Sequence, residues 1–155
     1  MNDYLVSLPI LLPLTGSVGA LLLRKRRRLQ AMWAVALMFG GLAASFWLLA
    51  RVWLGGQPVV FQSGGWLAPF GVSLVGDLLS ATMAVMSQGV LSLGIVYALG
   101  SRDQVIRYSA FYTIFLTMAA GLTGAMLAGD LFNLFVFAEL LVFSGTILTA
   151  ASDDQ

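Results

Sequence analysis

The chain has no cysteine and no histidine among its 155 residues. Without cysteine, disulfides and thiolate chemistry are excluded, and the redox compartment leaves no trace in the sequence. Without histidine, the commonest metal ligand and the usual near-neutral proton shuttle are both missing. No metal site, haem, iron–sulfur cluster or other cofactor is therefore expected. Charge is scarce as well. Charged residues make up 10% of the chain, against roughly a quarter in soluble domains. The net charge of +1 carries no signature of nucleic-acid binding. Lysine occurs once, at Lys25, and glutamate once, at Glu139.

Apolar residues fill the space left by charge. They account for 59% of the sequence, and the mean hydropathy is +0.92. The few charges are clustered, which leaves long apolar runs between them. An all-α, polytopic membrane protein of about five helices is the expected fold class, with residues 1–155 as a single membrane domain. The five segments fall at about residues 4–23, 30–54, 72–99, 108–128 and 131–150. The first holds Pro9 and Pro13, which suggest a kink that neighbouring helices can tolerate by bonding the freed carbonyls. It is too long for a signal-peptide core and has no basic residue before it, so a retained helix is expected rather than a cleaved leader.

Residues 55–70 differ in kind. Gly55, Gly56, Pro58, Gly64, Gly65 and Pro69 punctuate them, with Val59-Val60-Phe61 between the breakers. This pattern predicts a loop outside the hydrocarbon with a short β-hairpin. Trp53 and Trp66 flank it as interface anchors.

Basic residues set the expected orientation. Arg24, Lys25, Arg26, Arg27 and Arg28 lie between the first two segments, and Arg102 and Arg107 between the third and fourth. By the positive-inside rule both loops face the cytoplasm. The N-terminus and the 55–70 loop then lie outside, and the C-terminal tail is cytoplasmic. The basic run is read as a topology signal, with contact to anionic lipid as a secondary role. A multi-pass protein of the cell (inner or plasma) membrane is expected.

Glu139 is the leading candidate for function. At a rise of about 1.5 Å per residue it lies ~13 Å below Asp130, near the middle of a ~30 Å hydrocarbon core. A carboxylate there costs several kcal/mol unless it is paired, hydrated or protonated, and by default it marks an ion or proton path. No basic residue shares its depth, because Lys25 and the arginines sit in loops or at helix ends. Thr146, two turns on along the same face, can bond a water but cannot neutralise a charge. A counter-charge for Glu139 is therefore expected from another polypeptide.

Other polar residues form weaker signals. Asp77, Ser80, Ser87 and Gln88 fall on one side of the third segment, with Asp77 expected one to two turns into its helix. Asp77 is a candidate for lining an ion entry route, against the reading of a helix-packing acid near the interface where charge costs less, and Gln88 is a possible supporting polar group. Thr113, Thr117, Gly121 and Gly124 form a small-residue stripe suited to close helix approach, and Thr117 is a possible supporting polar group. Asp130 suits the N-cap of the fifth helix, where an acid meets free amides and the helix dipole.

Gly129-Asp130-Leu131-Phe132-Asn133-Leu134-Phe135-Val136-Phe137-Ala138-Glu139 resembles the fifth-helix motif of the antiporter-like membrane subunits. Mrp-type multisubunit cation/proton antiporters, the proton-pumping arm of respiratory complex I and membrane-bound hydrogenases share these subunits. Gly64-Gly65-Trp66-Leu67-Ala68-Pro69-Phe70-Gly71-Val72, followed by Asp77-Leu78-Leu79-Ser80-Ala81, resembles the loop and third helix of the D-type Mrp antiporter component in particular. The resemblance runs along essentially the whole chain. It implies a fourteen-helix subunit in which Glu139 corresponds to the fifth-helix glutamate, partnered by a lysine on helix seven. Residues departing from the pattern include Ala138, where a bulky aromatic is expected, and Thr113, where proline is common. The short span admits a split subunit, a shortened paralogue that scaffolds a complex, or an artefact of gene assignment.

The expected function is that of a subunit of a cation/proton antiporter, with Na+ and protons as cargo and Glu139 on the proton path. Its expected partners are the lipid bilayer and further membrane subunits, one supplying a lysine opposite Glu139. One alternative is a proton-pumping subunit of a complex I-like or hydrogenase-type oxidoreductase, in which this chain itself performs no catalysis. A second is a structural or assembly subunit with an inert buried glutamate. A homo-oligomeric small transporter is the weakest.

Overall fold

A computed structural model describes residues 3–62, 71–101, 106 and 108–153. Trp66, the 64–70 part of the glycine-rich motif, Arg102, Arg107 and the last residues of the tail lie outside the described residues. A short 3-10 turn, Asp3–Val6, leads into α1 (Leu8–Leu22). α2 (Arg27–Gly55), β1 (Val59–Gln62), β2 (Ser73–Gly76), α3 (Leu78–Gly100), α4 (Phe111–Leu127) and α5 (Leu131–Asp153) follow. The fold is an all-α membrane bundle that carries one small hairpin. Among the described residues, α2, α3 and α5 are long and apolar enough to cross a bilayer, while α1 and α4 are shorter apolar helices.

β1 and β2 pair antiparallel, with Val59 opposite Gly76 and Gln62 opposite Ser73. The hairpin is fixed both to the N-terminal turn and to the turn between α4 and α5. The rings of Tyr4 and Phe61 lie 5.4 Å apart, and the Gly129 amide donates to the Ser73 carbonyl at 2.8 Å. The second strand comes from residues that the hydropathy pattern assigned to the third apolar segment. Ser73-Leu74-Val75-Gly76 is as apolar as a helix start, yet its backbone is bonded to β1 and to Gly129.

α1, α2, α3 and α4 pack on one another, and α5 packs chiefly on α4. Two apolar clusters hold the body together. One, with Met38, Ile95, Phe115 and Leu116, lies toward the basic loop. The other, with Val6, Leu48, Leu74 and Leu127, lies under the hairpin. α5 meets α4 across Gly121 and Gly124. A Cβ at Gly121 would stand 2.9 Å from the Leu141 amide nitrogen, and one at Gly124 would overlap the Phe137 ring. The small-residue stripe therefore seats α5 at close backbone range.

A buried glutamine joins α1, α3 and α4. Pro13 has no amide hydrogen, so the Pro9 carbonyl one turn earlier loses its helical donor. Gln88 Nε2 of α3 donates to that carbonyl at 2.9 Å and also to Thr123 Oγ1 of α4 at 3.1 Å. Thr123 Oγ1 in turn donates to the Ala119 carbonyl at 2.8 Å. Gly41 of α2 lies against the Gln88 amide and leaves it room. The proline kink is thus satisfied from inside the bundle.

Candidate functional site: an acid on the open face of α5

α5 presents two unlike faces. Asn133 and Ser144 are buried, with Phe137, Leu141 and Leu148 half-buried beside them. At 100° per residue these positions cluster on one side of the helix. Phe132, Phe135, Val142 and Phe143 are exposed on the opposite side. Glu139 lies at the centre of that exposed face, with Thr146 nearly in line two turns on. No described residue hydrogen-bonds or ion-pairs with the Glu139 side chain. Thr146 Oγ1 donates to its own helix, at the Val142 carbonyl, 2.8 Å away.

Asp130 holds the start of this helix. Its Oδ1 accepts from the Asn133 amide at 2.8 Å, and its Oδ2 accepts from the Ser73 amide of β2 at 3.1 Å. The Asn133 side-chain amide also donates to Oδ2. The Asn133 backbone bond, ahead of partial desolvation, holds the Asp130 carboxyl below the ordinary carboxylate range. Asp130 therefore caps α5 and ties it to the hairpin, while Glu139 faces the other way.

Asp77 occupies a different place from the one its hydropathy context suggested. It does not lie one to two turns inside a helix but is the residue before α3. Its Oδ1 accepts from the Ser80 amide at 2.7 Å, and the Ser80 hydroxyl accepts from the Asp77 amide at 2.9 Å. This reciprocal capping box forms because the four residues before Asp77 are already committed to β2. The Ser80 amide bond is the main cause that lowers the Asp77 carboxyl's affinity for protons. The polar stripe on α3 accordingly divides: Asp77 is exposed at the helix end, and Gln88 is fully buried among helices.

The remaining candidates are dispersed. Thr117 Oγ1 donates within α4 to the Thr113 carbonyl at 3.0 Å. Arg24 and Lys25 lie in the turn after α1, Arg26 precedes α2, and Arg27 and Arg28 begin it. These basic residues sit at the end of the bundle away from the hairpin, far along the helices from Asp77 and Asp130. Gln30 is a polar residue that sequence reasoning passes over. It is buried in the first turn of α2, and its Nε2 donates to the Ala20 carbonyl at 2.9 Å and the Ser109 carbonyl at 3.0 Å. The only signal for it is a lone amide shortly after a basic run.

Fold and site together define a class: a multi-helix membrane bundle with one carboxylate on the open face of its outermost helix. No protein-family model matches the chain. It is 37% identical over 150 residues to the D component of the Na(+)/H(+) antiporter of Alkalihalophilus pseudofirmus, covering 96% of this chain and 30% of that protein. In structure it matches a chain of the Mrp complex from a Dietzia species, with a TM-score of 0.83 and 26% identity, over 93% of this chain and 27% of that one. It also matches a chain of the membrane-bound sulfane sulfur reductase, an archaeal respiratory membrane complex, with a TM-score of 0.79 and 27% identity, over 92% and 29% respectively. Over nearly its whole length the chain is similar to D components of Na(+)/H(+) antiporters and to single chains of two larger membrane complexes. It spans about three tenths of the length of the relatives it matches.

Proposed function

We propose that the chain is a subunit of a multi-chain cation/proton antiporter and contributes Glu139 to its proton path. The observation that carries this reading is the position of Glu139. It stands at the centre of the unpartnered face of α5, about 13 Å along the helix from the Asp130 cap. An ionisable group at that depth costs least when another helix covers it with a basic partner. A lysine from an adjoining helix, on a partner chain, is the proposed counter-charge. A nearby ammonium favours the carboxylate, and its withdrawal favours the protonated acid. Alternation between the two states would pass a proton along a line of such sites.

The same reading gives the basic end of the bundle to the cytoplasm and the hairpin to the outer side of the plasma membrane. Na+ is the proposed coupling ion, in keeping with the named activity of the Alkalihalophilus relative. The test is Glu139→Gln and Glu139→Ala in vesicles that hold the whole assembly. Loss of pH-linked cation exchange with intact assembly supports the role, and unchanged exchange in both variants sinks it.

A second reading rests on the likeness to the sulfane sulfur reductase chain. Here the same membrane subunit serves a redox-driven proton pump, and this chain carries no redox chemistry of its own. Iron–sulfur or flavin subunits that co-purify with the chain favour it; a purely membrane-embedded assembly favours the antiporter.

A further inference from the structure

A cavity of about 440 Å³ opens between the first turn of α2 and the last turn of α3, floored by Tyr112 of α4. Its volume falls within the ~300–1,000 Å³ typical of small-molecule sites. Its composition is divided. Arg27 and Arg28 stand on one side, and Ala31, Met32, Ala98 and Leu99 form an apolar wall. Arg27 is partly committed, since its Nη2 donates to the Ile106 carbonyl at 2.6 Å. Arg28 forms no hydrogen bond or ion pair with any described residue. Tyr112 is only 6% exposed, yet its hydroxyl has no hydrogen-bond partner among the described residues.

Electrostatics asks for an anion here. Five consecutive basic residues lead into α2, and the last of them occupy its N-terminal turn, where the helix dipole is positive and disfavours cations. The shape asks for an anion with an apolar body. Met32 is 68% exposed and Leu99 is 50% exposed at the cavity's edge, on helices apolar enough to span a bilayer. A soluble anion would leave that wall bare, whereas a lipid acyl chain covers it.

We propose that this cavity binds the headgroup of an anionic phospholipid, with the phosphate between the Arg28 guanidinium and the Tyr112 hydroxyl and one acyl chain along Met32 and Leu99. Arg27, pinned to the Ile106 carbonyl, closes the site on the loop side. The lipid would fasten α2, α3 and α4 together at the basic end, where the described residues provide no cap for α2 from a side chain.

The test uses the full chain, purified in mild detergent with the subunits that accompany it. Retention of phosphatidylglycerol against phosphatidylcholine is read by native mass spectrometry. Phosphatidylglycerol is expected to be retained preferentially. Arg28→Gln is expected to weaken retention about tenfold, the scale of one charge-assisted hydrogen bond. Tyr112→Phe keeps the packing of the ring and is expected to weaken it about threefold, the scale of a neutral bond. Arg28→Lys should restore part of the loss. Arg24→Gln removes the same charge outside the cavity and should leave retention within about twofold, as a screened surface charge does. Equal loss in Arg24→Gln and Arg28→Gln would overturn the site in favour of diffuse attraction. Displacement of the lipid by inorganic phosphate would overturn it in favour of a soluble anion, and equal retention of both lipids would overturn the anionic selectivity.

Discussion

Gln88 and Glu139 are both large polar side chains deep within long apolar helices, and the bundle treats them in opposite ways. Gln88 lies about 16 Å from the α3 cap and Glu139 about 13 Å from the α5 cap, at 1.5 Å per residue. Both caps are joined to the same hairpin strand, so their depths are alike. Gln88 is fully buried and bonded to α1 and α4. Glu139 is exposed and unbonded within the described chain. A polar group that a bundle needs for its own cohesion is enclosed by it. A polar group left at the centre of an apolar outer face is addressed to something else. On the proposed reading, α1 to α4 enclose Gln88 for their own cohesion, and α5 presents Glu139 to a partner chain.

The largest effect that would sharpen this contrast is on transport. Glu139→Gln should abolish pH-linked cation exchange in assembly-containing vesicles while leaving the unfolding temperature of the chain within error. Gln88→Leu should do the reverse. It strands the Pro9 carbonyl and is expected to cost about 1–3 kcal/mol of stability, read by tryptophan-detected unfolding in detergent. If Gln88→Leu proved neutral in stability, the division between inward and outward polar groups would fail.

Of similar size is Gly124→Leu. Its side chain would collide with Phe137, and overpacking of this kind costs about 1–3 kcal/mol. Displacement of α5 should be visible as faster proteolysis between α4 and α5. A smaller effect is expected from Asp130→Ala, about 1 kcal/mol for loss of a cap, again by thermal unfolding. The pH dependence has a definite sign. The folded carboxyl of Asp130 binds protons less readily than an unfolded aspartate. Its contribution is present above about pH 4 and is lost as the pH falls through the lower folded value. The smallest effect belongs to Asp77→Asn, which retains a capping oxygen. It should leave transport unchanged and flatten only the acid limb of the stability curve.

Much of this was legible in the sequence. The apolar segments, the breaker-rich connection and the isolation of Glu139 follow from composition and charge position. Asp130 was readable as a cap because Gly129 before it and a long apolar run after it mark a helix start. The start of α3 was not readable from hydropathy, because an apolar strand and an apolar helix turn have the same mean. The Asp77-x-x-Ser80 spacing was the available signal, since it places a capping box at the boundary. Gln88 could be placed on a polar stripe, but its acceptor lies 79 residues away in sequence. Pro13 was the hint, because a proline within a helix announces one carbonyl in search of a donor. Tyr112 and the basic-end cavity require three helices to converge, which periodicity along one helix does not register.

The bond between Gln88 and the Pro9 carbonyl also bears on inheritance. Pro13 creates the demand and Gln88 meets it, so neither residue has its full value without the other. Replacing Pro13 by alanine would restore the helical donor and leave Gln88 with one partner fewer, so the loss on Gln88→Leu should shrink in that background. Lineages that give up the proline are then released to make position 88 apolar, and those that keep it are held to a donor there. Two positions on different helices would drift as one character.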